Sequence, residues 1–195
     1  TLSKASENYT NRYPTLHMLW KKKQQKESKN TCSECGSSHS DWPALAFNSP
    51  NNYHQLTDQE KEDITQISTD FCLIHYSDQI DRFIRVNLFQ KIIDSDEELN
   101  YGLWVSLSEE SYLDYEENFD NENHQVEYFG WLCSYISEYE STISIPMTVV
   151  TQPGNARPII YPHKDHDHQF VFDYYNGISS HEAQARVNRM MKNVG

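Results

Sequence analysis

The residues best placed to do chemistry are Cys32-Ser33-Glu34-Cys35-Gly36, followed three positions on by His39. Two thiolates at this spacing meet one ion because the chain between them turns tightly. A glycine after the second cysteine supplies the positive φ that turns backbone N–H groups toward sulfur. His39 reaches the same ion. A structural tetrahedral zinc site needs a fourth ligand, and Cys72 is the best candidate, ahead of His54 and His75. The expected cofactor is therefore one structural Zn²⁺ held by Cys32, Cys35, His39 and Cys72, closed to substrate. Two other readings compete: a redox dithiol, which belongs at a helix start in a βαβ context absent here, and a pair of reduced, metal-free thiols. Cys133, between Leu132 and Ser134 in an aromatic stretch, reads as a buried inert thiol.

Other candidates for chemistry are weaker. His163, His166 and His168 lie in Pro162-His-Lys-Asp-His-Asp-His. They form either an exposed polar loop, the favoured reading, or a second weak metal site that a metal-dependent hydrolase would use. Arg85 is the one basic residue inside the apolar run Phe83-Ile-Arg-Val-Asn-Leu. It is an outward strand residue or, preferably, a partly buried cation paired with an acid. No nucleophile elbow, phosphate loop or H-E-x-x-H helix occurs. Carboxylates are so abundant that nominating an acid–base pair carries no information, so the chain is expected not to be an enzyme.

The acids themselves are a pattern. The net charge is -13 over 195 residues, yet residues 1–30 hold 7 basic and 2 acidic residues, which leaves 9 basic against 27 acidic in the remainder. A body at -18 repels phosphate backbones, so nucleic acid is not expected as a direct ligand. One cluster is Asp94, Asp96, Glu97 and Glu98. The other is Glu109, Glu110, Asp114, Glu116, Glu117, Asp120, Glu122 and Glu127, interleaved with Tyr112, Tyr115 and Phe119. Such a stretch is either a solvating face or a docking surface for a basic protein, with Glu109, Glu110, Tyr112, Asp114, Tyr115, Glu116, Glu117 and Asp120 as contacts.

The elements that must carry these residues follow from pattern. Residues 1–30 read as a basic arm, with a short helix over Pro14 to Gln25 as the alternative, and residues 31–195 as one domain. Thr57-Asp-Gln-Glu60 is a capping box opening a helix to about residue 66. Phe71 to Tyr76, Arg82 to Phe89 and Tyr101 to Leu107 read as strands, and a second helix opens at Ser106 to Glu109. Tyr128 to Tyr135 is apolar, interrupted by Gly130, and of undecided type. Thr142 to Val150 alternates, with Ile143, Ile145, Met147 and Val149 on one face and Pro146 marking an edge. Arg157 to Tyr161 is a short strand, and Ser179-Ser-His-Glu182 caps a last helix with Ala183, Val187 and Met190 on one side. The expected fold is α+β: a mainly antiparallel sheet with helices on one side, plus a zinc-knuckle-like N-terminal segment.

These residues resemble the bacterial family catalogued as domain of unknown function 2199, from about Thr31 to Ile178. The resemblance rests on Cys32-x-x-Cys35-Gly36 with His39 and Pro43, Asp70-Phe-Cys72-x-Ile74, and Phe83-Ile-Arg85. It continues through Tyr101-Gly102-x-Trp104-Val-Ser-Leu-Ser108, Tyr128-Phe-Gly130-Trp131-Leu132, Pro158, Asp167-His168 and Asn176-Gly177-Ile178. The family pattern places a cysteine at position 72, which adds to the argument from spacing. Val86 stands where relatives have Gly, and Gln169 where they have Pro. The resemblance implies a small bacterial cytosolic protein and supplies no catalytic residue.

No apolar run approaches the ~18 residues that span a bilayer, mean hydropathy is -0.80, and no leader pattern opens the chain. The expected location is the cytoplasm, with the four cysteines reduced. The leading functional expectation is a non-enzymatic binding protein, most concretely an immunity- or antitoxin-like inhibitor covering a basic toxin or effector domain. The alternatives are a zinc-stabilised adaptor or regulator, and the metal-dependent hydrolase.

Overall fold

The computed structural model describes residues 42–193, together with the backbone of Asn30–Thr31 and Ser38–His39. The chain divides into two compact units, Thr1–Ser40 and Asp41–Gly195. In the first, strands β1 (Asn30–Thr31) and β2 (Ser38–His39) pair antiparallel, Asn30 opposite His39 and Thr31 opposite Ser38. The arm and the Pro14–Gln25 helix expected from sequence lie outside the described residues.

The second unit is built on one long hairpin. Strand β6 (Ile80–Lys91) and strand β7 (Glu98–Leu107) run antiparallel through nine paired positions, from Phe83–Ser106 to Lys91–Glu98. Both are rich in β-branched and aromatic residues with a period of two, as a pleated strand requires. Val105 to Leu107 also pair with β8 (Glu127–Leu132), β8 pairs with β9 (Pro146–Val150), and β9 with β10 (Ile159–Pro162). β10 returns to β6 through one parallel pairing, Ile159 with Asn87. The five strands β6–β7–β8–β9–β10 therefore close into a barrel. Short strands extend the sheet on either side: β3 (Leu45–Ala46) runs parallel to β7, and β5 (Phe71–His75) with β4 (Thr65–Ile67) continues from β6.

Alternation decides which side chains fill the barrel. Ile84, Val86 and Leu88 of β6, Leu103 and Val105 of β7, Leu132 of β8, Met147 and Val149 of β9, and Ile160 of β10 are all buried in one cluster. Gly130 leaves little room there: a Cβ would sit 3.0 Å from the Ser106 carbonyl oxygen and 3.2 Å from a Val149 methyl. Of the alternation expected over Thr142 to Val150, Ile145, Met147 and Val149 are buried, but the strand starts only at Pro146, Ile143 is half-buried in the turn before it, and β9 is not an edge. It lies between β8 and β10, and Pro146 is tolerated as its first residue.

Helix α1 (Asn51–His54) precedes α2 (Asp58–Ile64), whose capping box forms as the sequence predicts: Glu60 N–H donates to Thr57 Oγ1 (3.2 Å) and Thr57 N–H to Glu60 (2.8 Å). α3 (Glu109–Glu117) starts at Ser108, whose hydroxyl accepts from Ser111 N–H. α4 (Gln169–Asn176) was not legible as a helix, and α5 (Ser180–Asn193) begins where Ser179 accepts from Glu182 N–H. The helices do not gather on one side. Tyr53 of α1 and Ile64 of α2 cover the cluster Cys72, Ile74, Phe83, Trp104 and Cys133. Residues of α3, α4 and α5 instead pack with the barrel interior cluster. Two faces need covering because successive β5 and β6 residues point to opposite sides and both sides are apolar.

Candidate functional site

The acidic helix α3 is fixed by its aromatics. Tyr112 and Tyr115 are only 2% and 4% exposed, and Phe71 of β5 packs against Tyr112, Tyr115 and Phe119 with ring centroids 5.1–5.8 Å apart. Each such pair contributes roughly 0.5–1.5 kcal/mol beyond burial. The two tyrosines expected to anchor a partner are thus core residues, at the i, i+3 spacing of a helix face turned inward, with Phe119 just past the helix end joining them.

The carboxylates around them divide. Glu109 pairs with Arg82, Glu116 accepts from the Tyr112 hydroxyl (3.2 Å), and Asp114 accepts from the Tyr128 hydroxyl (2.6 Å) beside His124 Nε2 (3.1 Å). Those Asp114 and Glu116 contacts help push both phenols up, although burial is the larger cause. Glu110, Glu117 and Asp120 stay exposed, and no ion pair among the described residues involves them. In the other cluster, Asp94 accepts from the backbone N–H and hydroxyl of Ser180 (2.7 and 2.8 Å), which hold its carboxyl below the usual range.

Of the four proposed zinc ligands, Cys32 and Cys35 lie outside the described residues, and His39 is described only as backbone of β2. Cys72 is fully buried among Ile74, Phe83, Trp104 and Cys133, and burial pushes its thiol up to about 12. Cys133 is likewise buried, its thiol pushed up to about 11, as expected of an inert thiol. A zinc ligand must be a thiolate, so Cys72 fits that role only with the ion itself stabilising the charge. Among the described residues no three His, Cys, Asp or Glu side chains converge as a metal site. His168 Nδ1 caps α4 by accepting from Phe170 N–H (3.0 Å), while His163 lies 3.3 Å from the Thr148 hydroxyl and packs on Phe129. Of the weaker candidates, His54 contacts Ser49, and the Nε2 of His75 is buried without a hydrogen-bond partner among the described residues.

Arg85 has no ion pair among the described residues. Its guanidinium lies over the Trp104 ring, 5.9 Å from the centroid, and the nearby carboxylate, Asp70, is taken by Arg157 at 2.6 Å. Burial, then the Arg157 charge, lowers its pKa. Register sets its position: Arg85 stands opposite Trp104 on the β6–β7 face that points away from the barrel interior, half-buried there.

The surface that sequence reading missed is the outer wall of β8–β9–β10. Phe129 faces Thr148, which faces Tyr161; two residues along, Trp131 faces Pro146. Phe129, Trp131 and Tyr161 are 48%, 46% and 39% exposed, and Phe129 and Trp131 meet edge to face at 4.9 Å. Glu127 is exposed on the same side of β8. The signal was the alternation Glu127, Phe129, Trp131 against Tyr128, Gly130, Leu132. It was masked because both faces of the strand carry aromatics. Beside Trp131 lies a cavity of about 390 Å³ that also reaches Asp81 and Ser144.

A family of bacterial proteins described as uncharacterized and conserved, domain of unknown function 2199, matches residues 31–178. The chain belongs to this family. No curated protein and no solved structure matches it. The family span takes in the barrel and ends at Ile178, which bridges to Ile92, so α5 lies beyond it. No described helix is long and apolar enough to cross a membrane.

Proposed function

We propose that this member of the family is a non-enzymatic protein-binding protein of the bacterial cytoplasm. In its most concrete form it is an immunity- or antitoxin-like inhibitor that covers a basic toxin or effector domain. The observation that carries the reading is the exposed aromatic wall Phe129, Trp131 and Tyr161 on a body of 9 basic and 27 acidic residues. Half-exposed aromatics supply the desolvated anchors of an interface, and the carboxylates of an acidic body steer a basic partner and suppress acidic ones. The anchors move from the α3 tyrosines to the barrel wall, while Glu110, Glu117 and Asp120 remain available for steering. Nuclease-type toxins are basic because their substrate is polyanionic, so an acidic cover competes for the same patch.

The adaptor reading, with a structural zinc, is supported by the β1–β2 pairing: the segment joining the two strands contains Cys32 and Cys35, and His39 ends the second.

The test is co-expression with the product of a neighbouring toxin-like gene, scored by growth rescue and by association rate. Phe129→Ala with Trp131→Ala is expected to abolish rescue. Reversal of Glu110, Glu117 and Asp120 to Lys is expected to slow association at least tenfold at low salt, with less effect at high salt. Full rescue by both variants would remove this surface from the account.

A further inference from the structure

The cavity beside Trp131 has a composition that selects one kind of side chain. Its lining joins the apolar Ile80, Phe83, Ile143 and half-exposed Trp131 to the polar Asn52 and Ser106 and to the acid Asp81. The cation lining the cavity, Arg82, is already committed: it binds the Glu109 carboxylate and donates to the Ile80 carbonyl (2.8 Å). Among the described residues Asp81 has only a neutral donor, Gln79 Nε2 at 3.0 Å. Burial raises its carboxyl above the usual range, so the ionised form is poorly solvated and gains from a cation.

The rim is set in place. Ser144 has φ 66°, the one positive φ at a non-glycine among the described residues, and its N–H donates to Leu132 O at 2.8 Å. A serine in the left-handed region is held there by its surroundings.

We infer that this cavity receives an arginine side chain of the protein partner, its methylene stem against Ile80 and Ile143, its guanidinium on Asp81 and against the Trp131 indole. Arginine fits better than lysine because a planar guanidinium bonds a carboxylate and stacks on an aromatic face at once. The inference rests on the partner being a basic protein and adds the residue it inserts.

The experiment uses the full ¹⁵N-labelled chain and N-acetyl-arginine amide as the probe. Saturable shifts are expected at the Trp131 indole N–H and the Asp81 and Ser144 amides. Asp81→Asn, which keeps size and hydrogen bonding, weakens binding about tenfold or more. Trp131→Ala, at a half-exposed position, weakens it too while leaving the remaining spectrum dispersed. N-acetyl-norleucine amide, with an uncharged stem, binds at least tenfold more weakly than the arginine probe.

Equal binding of the norleucine and arginine probes, unchanged affinity in Asp81→Asn, equal binding of putrescine, or no shift at tens of millimolar probe each overturns the inference. Failure of the wider reading looks different. A captured toxin that responds to the α3 reversals but not to Asp81→Asn sinks only the arginine pocket. A pocket that binds the probe in a chain that neutralises no toxin sinks only the inhibitor reading.

Discussion

Arg186 offers the sharpest test of how the barrel and the last helix are joined. Its side chain is 3% exposed. Nη1 donates to the hydroxyls of Tyr101 (3.1 Å) and Tyr139 (2.8 Å), Nη2 to Asp173 (3.4 Å), and Nε to Glu182 (2.9 Å), with the guanidinium 5.0 Å from the Tyr139 ring centroid. Arg186→Met keeps the stem and removes the fork. Breaking a buried charge pair from one side costs about 3–5 kcal/mol. The lower end applies here, because Asp173 still accepts from Tyr139 (2.9 Å) and Gln169 (2.6 Å). Glu182 is 40% exposed, so its i,i+4 pair adds at most about 0.5 kcal/mol. The largest single loss is the Tyr101 hydroxyl, left unpaired on a residue 1% exposed, at about 1–3 kcal/mol. A destabilisation of about 3 kcal/mol moves the urea midpoint down by about 1–2 M if m is near 2 kcal/mol/M. Tyr101→Phe in the Arg186→Met background removes the orphaned hydroxyl and is expected to recover about 1 kcal/mol. A loss below about 1 kcal/mol for the single variant, or a further loss in the double, would refute the reasoning.

Three further predictions follow from other parts of the molecule. Gly177 has φ 87°, and a Cβ there would lie 2.5 Å from an Ile93 methyl and 3.2 Å from the Lys91 carbonyl oxygen; Gly177→Ala is expected to cost roughly 2–3 kcal/mol by chemical denaturation, partly relieved by Ile93→Ala. The Ser180 bonds depress the folded-state pKa of Asp94, so its stabilisation of the α5 start is complete above the unfolded carboxylate value of about 3.9 and is lost as pH falls through the depressed value. Amide exchange in the first turn of α5 should accordingly lose protection in acid in the wild type, while Asp94→Asn shows no such step. Elemental analysis is expected to find one zinc per chain, abolished by Cys32→Ser with Cys35→Ser; retention in Cys72→Ser would make residue 72 a core thiol alone.

Local rules gave the pieces of this protein. The capping box at Thr57, the serine cap at Ser179, the period-two alternation of β6, β7 and β9, and the stripe Ala183, Val187, Met190 are short-range consequences of residue type, so they can be read without knowing the fold. The surplus of carboxylates was equally plain. α4 escaped because its residues Phe170, Val171, Phe172, Tyr174 and Tyr175 are poor helix formers, and its start is set by a histidine cap and its docking by Phe170 and Val171 on the barrel.

Only the tertiary structure decided which of two apolar faces is inside. Strand β8 carries aromatics on both parities, and closure of the barrel through the single Ile159–Asn87 pairing turns Leu132 inward and leaves Phe129 and Trp131 outside. Tertiary packing likewise sets Arg186 of α5 beside Tyr101, 85 residues away in the chain, and Phe71 of β5, outside the barrel, gives α3 an aromatic bed against which Tyr112 and Tyr115 are buried. A side chain's type fixes what it prefers, but its neighbours across a closed sheet fix whether it meets solvent, and those neighbours are chosen by strand pairings between distant segments that no local pattern encodes.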